Sequence, residues 1–242
     1  MDITHPWFPY CGAAPAPAEI WQRWNMDPLV LISLLLVVGI VWRRTDEAAR
    51  LNLLGATALA AVLFVSPLCA LTSALFSARA VHHVLLTAVL APLLAVAWPG
   101  AKRPAVGIWT AAHVAIFWFW HAPAAYSWAL SHDAAYWVMQ VTLLGSAAGF
   151  WAAVQRAPAL HAVAALLMAM VQMGLLGALL TFSSYPFYAP HLLGPQVWGL
   201  SPLEDQQLAG LIMWVPAAGL YLAAALYVFM RWVASEQVVG RS

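Results

Sequence analysis

Charge is what this 242-residue sequence has least of. Asp, Glu, Lys and Arg make up 8% of it against 64% hydrophobic residues, and the mean hydropathy is +0.81. That excludes an ordinary soluble domain, which carries roughly a quarter charged residues. A net formal charge of +1 gives no basic face for nucleic acid. The 2 cysteines, Cys11 and Cys69, are too few for a disulfide framework. An oxidising compartment would allow one bridge and a copper-handling protein could use both as thiolates, with unpaired thiols as the default. The first residues lack the basic start and short apolar run of a cleavable signal, so insertion is expected to rely on the helices themselves.

What is abundant is apolar sequence long enough to meet a hydrocarbon core of about 30 Å. Seven stretches predict an all-α polytopic bundle of about seven transmembrane helices, at 28–42, 51–75, 80–98, 105–121, 134–154, 160–182 and 207–232. The first is short, and its backward extension through Trp24 is open. The 14 tryptophans suit interfacial belts. With the N-terminus outside, the inner connections hold Arg43, Arg44, Arg50, Lys102, Arg103, Arg156, Arg231 and Arg241. The outer ones hold only Arg23 and Arg79, which accounts for all 10 basic residues. The excess of positive charge inside predicts an N-out, C-in orientation. The domains read as an extracytoplasmic arm at 1–27, a membrane domain at 28–232 and a cytoplasmic tail at 233–242.

This topology puts His5, His82, His83, His121, His132 and His191 at or beyond the outer surface, six of the 8 histidines. His113 falls deeper and His161 near the inner side. His82 and His83 open the third stretch while His121 closes the fourth, so three imidazoles share one level. Neutral imidazole is the commonest transition-metal ligand. Interfacial histidines are also commonly just solvated, and that reading stands beside the metal one. Met168, Met170, Met173 and Met213 offer thioethers suited to Cu(I), although methionine is equally an ordinary gap-filler. Met213 is the best placed of the four. Glu204 and Asp205 precede the seventh stretch, where carboxylates meet a helix N-terminus favourably.

Several segments resemble the CtaG family. They are Leu75-Phe-Ser-Ala-Arg-Ala-Val-His-His-Val-Leu-Leu86, Ala91-Pro-Leu-Leu94, Trp120-His-Ala-Pro123 and Gly149-Phe-Trp151. The longest is Trp198-Gly-Leu-Ser-Pro-Leu-Glu-Asp-Gln-Gln-Leu-Ala-Gly-Leu-Ile-Met-Trp-Val-Pro216. The resemblance implies a multi-pass protein of the bacterial inner (plasma) membrane that assembles caa3-type cytochrome c oxidase and is not an enzyme. It also implies an association with copper supply, with oxidase subunits, periplasmic copper chaperones and the lipid bilayer as partners. One position departs from the family pattern. A histidine commonly stands four residues before the one matching His83, and here that residue is Arg79, with His82 in place of the usual glutamine. A guanidinium cannot bind a cation, so a family site using both histidines has lost or moved a ligand here.

The leading expectation is a copper ion held by His82, His83 and His121, with Asp205 or Met213 completing the shell, and passed to an oxidase. A haem-binding or quinone-reactive electron carrier would need a second histidine at the depth of His113. A membrane metal transporter or metallohydrolase would call for mid-membrane charges or an H-E-x-x-H motif, and the sequence has neither.

Overall fold

A computed structural model describes residues 9–43, 47–97 and 105–239. His5, Arg44, Lys102, Arg103 and Arg241 lie outside the described residues. Those described are all-helical, without strands. The helices are α1 (Pro28–Trp42), α2 (Glu47–Phe64), α3 (Pro67–Ala74), α4 (Phe76–Val84), α5 (Ala91–Ala97) and α6 (Val106–His121). They continue as α7 (Pro123–Ser131), α8 (Asp133–Val154), α9 (Ala159–Thr181), α10 (Pro202–Ile212) and α11 (Ala218–Val239). Two π-helical segments, Leu85–Leu90 and Met213–Ala217, join α4 to α5 and α10 to α11.

Over its described residues each of the seven predicted stretches is mostly helical, but not all are long enough to span by themselves. Four runs are long and apolar enough to cross a membrane: Phe76–Val96, Asp133–Val154, Ala159–Thr181 and Pro202–Gln237. The pair Ala49–Phe64 and Pro67–Ala74, bent by 46°, makes up to a fifth. The 15 residues of α1 reach only about 22 Å at 1.5 Å per residue. Its backward extension is ruled out locally: Asp27 Oδ1 accepts from the Leu29 N–H at 2.8 Å and starts the helix there.

Prolines set most of the breaks. Ser66 caps α3 by accepting from the Leu68 N–H, with Pro67 in the first helical position. Ala122 is extended ahead of Pro123, as a residue before proline prefers, and this ends α6 at His121. The segment 122–133, expected as a loop, is mostly the helix α7, with Pro123 as its start signal. Pro216 lies inside the second π segment, where the wider turn accommodates a residue without an N–H.

The third stretch begins at Phe76, not at position 80. Leu75, extended at φ −120° and ψ 129°, supplies no side-chain cap. The carboxylate of Asp205 does so from α10, accepting from the N–H groups of Phe76 at 2.6 Å and Ser77 at 3.1 Å and from the Ser77 hydroxyl at 2.5 Å. Glu204 works on its own helix, in a capping box with Ser201. The run Phe76–Val96 is the central element, 61% buried over its apolar window against 22% for Pro202–Gln237. Exposed apolar side chains such as Leu35, Val171, Leu175 and Phe229 form the outer surface of the bundle, as expected of faces turned to lipid.

One end of the bundle is covered by the arm that precedes α1. Tyr10 stacks on Tyr136 at 5.0 Å and donates to Asp27 Oδ2 at 2.5 Å, which holds the Asp27 carboxyl below its ordinary range. The Asn25 N–H donates to the Val65 carbonyl at 2.9 Å, and the Trp198 indole donates to the Pro15 carbonyl at 3.0 Å. Cys11 and Cys69 form a disulfide across 58 positions of sequence, contrary to the expectation of unpaired thiols. The closed loop makes this worth about 4 kcal/mol in a chain-entropy account.

Candidate functional site

α4 carries Arg79, His82 and His83 into the middle of the packed bundle. All three are buried, so the histidines are not the solvated interfacial groups that a helix start near 80 implies. The helix really starts a turn earlier, and α3 packs against it. The Arg79 guanidinium is fully buried, donates from Nη2 to the Thr72 carbonyl at 3.3 Å and sits over the Tyr136 ring at 5.5 Å. Its Nε and Nη1 have no hydrogen-bond partner. His82 meets Phe64 edge-on at 5.3 Å, and neither of its ring nitrogens is partnered.

His83 faces His121 with ring centroids 5.6 Å apart and planes at 82°. Both nitrogens of His83 are unpartnered. His121 is different, because its Nδ1 lies 2.7 Å from the Phe117 carbonyl. A carbonyl only accepts, so Nδ1 carries the proton and Nε2 presents its lone pair. The His121 carbonyl in turn accepts from the Tyr188 hydroxyl at 2.8 Å.

A small cavity of about 10 Å³ opens between these two imidazoles. His83, Thr87, His121, Met173 and Met213 are among the side chains that line it. Its size is about that of one water molecule or one ion. The four donor-bearing side chains reach it because their helices are measured from a common end. α4 and α10 pack side by side and start together where Asp205 caps Phe76. His83 lies seven residues beyond Phe76, Met213 eight beyond Asp205 and Met173 eight before Thr181, each about 10–12 Å along its helix from that reference residue. α6 terminates at this depth with His121.

Two glycines bring the methionines together. A Cβ on Gly177 of α9 would come within 2.7 Å of the Gly210 carbonyl oxygen and 2.8 Å of the Trp214 nitrogen. α9 and α10 therefore approach backbone to backbone, as small residues allow in membrane helices. Met173 lies one turn from Gly177 and Met213 one turn from Gly210.

Of the five expected ligands, His83, His121 and Met213 share the cavity. His82 stands beside it, 5.8 Å from His83 between centroids. Asp205 caps α4, with both oxygens occupied. Met173, one of the four thioethers named from the sequence but not among the five expected ligands, joins the cavity as well. Among the described residues no three His, Cys, Asp or Glu side chains form a group that could hold a metal ion. Only a set that counts thioethers converges.

Two further histidines, His191 and His113, have polar partners of their own. Burial and the Arg79 charge push the His191 imidazole down to about 3, and the neutral ring accepts at Nε2 from the Tyr126 hydroxyl at 2.6 Å. His113 has Ser146 and Tyr221 at its two nitrogens, each at 3.5 Å.

The family model described as cytochrome c oxidase caa3 assembly factor matches residues 32–235. The chain belongs to that family. The match runs from α1 into α11 and so takes in every residue that lines the small cavity. No curated protein and no solved structure matches the chain. Membership accounts for the apolar helices: a caa3 assembly factor works beside a membrane-embedded oxidase. In this member of the family, Arg79 sits one helical turn from His83 and within electrostatic reach of it.

Proposed function

We propose that this chain assists assembly of cytochrome c oxidase by receiving copper and handing it on through His83 and His121, with His82 alongside and Met213 as a further donor. The observation that carries this reading is the His83–His121 pair: two buried imidazoles face one cavity, both nitrogens of His83 are without a partner, and His121 has only its Nδ1 committed, to the Phe117 carbonyl. Leaving buried polar atoms unpaired costs on the order of 1–3 kcal/mol each, a cost that a bound ion removes. In this reading the role is carriage, and the cavity has room for one ion. Oxidase subunits are the acceptors in this reading and periplasmic copper chaperones the donors. Asp205 remains the cap of α4, which keeps His83 at the level of His121.

Replacing His83 and His121 together by alanine is expected to lower cytochrome oxidase activity in membranes on the order of tenfold, with the protein still present by immunoblot. Normal activity and unaltered copper content of the oxidase would sink the proposal.

We also propose the N-out, C-in orientation in the bacterial inner membrane, with the arm at 1–27 and the tail at 233–242 on opposite sides. The Cys11–Cys69 disulfide supports it, since such bonds persist on the oxidising face. A periplasm-active reporter fused after Ser242 is expected to be silent, and an active fusion reverses the assignment.

A further inference from the structure

We infer that His83, His121, Met173 and Met213 together form a two-nitrogen, two-sulfur site selective for monovalent copper. The inference rests on the copper-handling reading above and deepens it, by naming the fourth ligand and the oxidation state.

The four side chains are buried, at 4%, 4%, 3% and 1% exposure, and line one cavity of about 10 Å³. Their donor atoms are neutral: two imidazole nitrogens and two thioether sulfurs. Thioethers are soft and favour Cu(I), and imidazole suits it as well. Zn(II) and Cu(II) are harder and doubly charged, and no carboxylate lines the cavity to neutralise them. Desolvation cost rises with the square of the charge, so a divalent ion in this apolar setting is penalised about fourfold more than a monovalent one. A buried positive charge also acts here, since the Arg79 guanidinium lies one helical turn from His83 and interacts with it. A cationic neighbour weighs twice as heavily on a divalent ion as on a monovalent one.

Local geometry agrees. The Nδ1 proton of His121 is committed to the Phe117 carbonyl, the arrangement by which metal-binding histidines are usually oriented. His83 stands just before one π-helical segment and Met213 opens the other. Such segments shift the helix face that follows them and recur at functional sites. In the first, the Thr87 carbonyl is satisfied by the Trp151 indole at 2.8 Å, so the bulge beside His83 is held open by a specific contact.

The test uses the full-length protein purified in detergent without reducible copper, titrated anaerobically with Cu(I) against a chromophoric Cu(I) chelator. One equivalent is expected to bind, and X-ray absorption at the copper edge should show sulfur and nitrogen scatterers in the first shell. Changing Met173 and Met213 to leucine, a nearly volume-conserving swap, should weaken Cu(I) binding at least tenfold. Zn(II) should not compete at equal concentration. A first shell of nitrogen and oxygen alone in the unmodified protein overturns the inference, whatever the variants do. So does an unchanged Cu(I) affinity in a folded leucine double variant. If that variant loses copper while oxidase activity in membranes stays normal, the site stands and the assembly role of its copper falls. If the histidine pair proves essential to oxidase activity and the methionines do not affect Cu(I) affinity, the copper-handling reading stands and the thioether site falls.

Discussion

Asp205→Ala is expected to destabilise the detergent-purified protein by about 3–5 kcal/mol, because it strips a buried helix start of its only acceptor. Three donors converge on that carboxylate, and two are backbone N–H groups of α4. Removing it leaves Phe76 and Ser77 with buried, unpaired donors, each costing about 1–3 kcal/mol. Asp205→Asn keeps one acceptor oxygen and should lose roughly half as much. Thermal unfolding followed by circular dichroism separates the cases. A midpoint for the alanine variant equal to the parent's would show that α4 starts without this cap. Because α4 carries His83, the variant should also bind copper less tightly before it unfolds.

The second large effect concerns Gly177. Gly177→Ala places a methyl carbon where the backbone of Gly210 and Trp214 already stands, at 2.7 and 2.8 Å. Neither is a flexible side-chain tip, so α9 and α10 must part. Overpacking of this kind costs about 1–3 kcal/mol, and the parting separates Met173 from Met213. Gly145 in α8 provides the opposite sign. A Cβ there meets nothing within 4 Å, and the residue is exposed. Gly145→Ala should be neutral or stabilise by up to about 1 kcal/mol through helix propensity. Equal stability losses in the two variants would mean that close approach of α9 and α10 is not what Gly177 provides.

The helices were legible because their signals are local. Each apolar run, and the breaks at Pro67 and Pro123, can be read within a few residues. The start of α4 could not be read this way, since its cap lies 129 positions away in Asp205. Placing that start at 80 put His82 and His83 at a surface, and four residues of extra helix bury them. The segment after His121 is not legible as a span, because nine residues of α7 are too few to cross, and only Pro123 signals a new helix there. The histidine pair was anticipated from matching levels on neighbouring helices. Which of the four thioethers joins it beside Met213 is not legible locally, since only the Gly177–Gly210 contact shows that α9 turns Met173 inward. The Cys11–Cys69 bridge depends on the arm folding back over α3, and spacing alone does not encode that.

The cover formed by the arm has a timetable written into it. Pro15 receives the Trp198 indole, a partner made 183 residues later in the chain. Tyr10 must likewise wait for Tyr136 before it can stack. At about 5–20 residues per second, the arm spends on the order of ten seconds or more without its final neighbours. The ion-sized cavity cannot exist until α10 has been added, because Met213 belongs to its wall. The arm therefore precedes its partners in synthesis and settles only after Trp198 has been made.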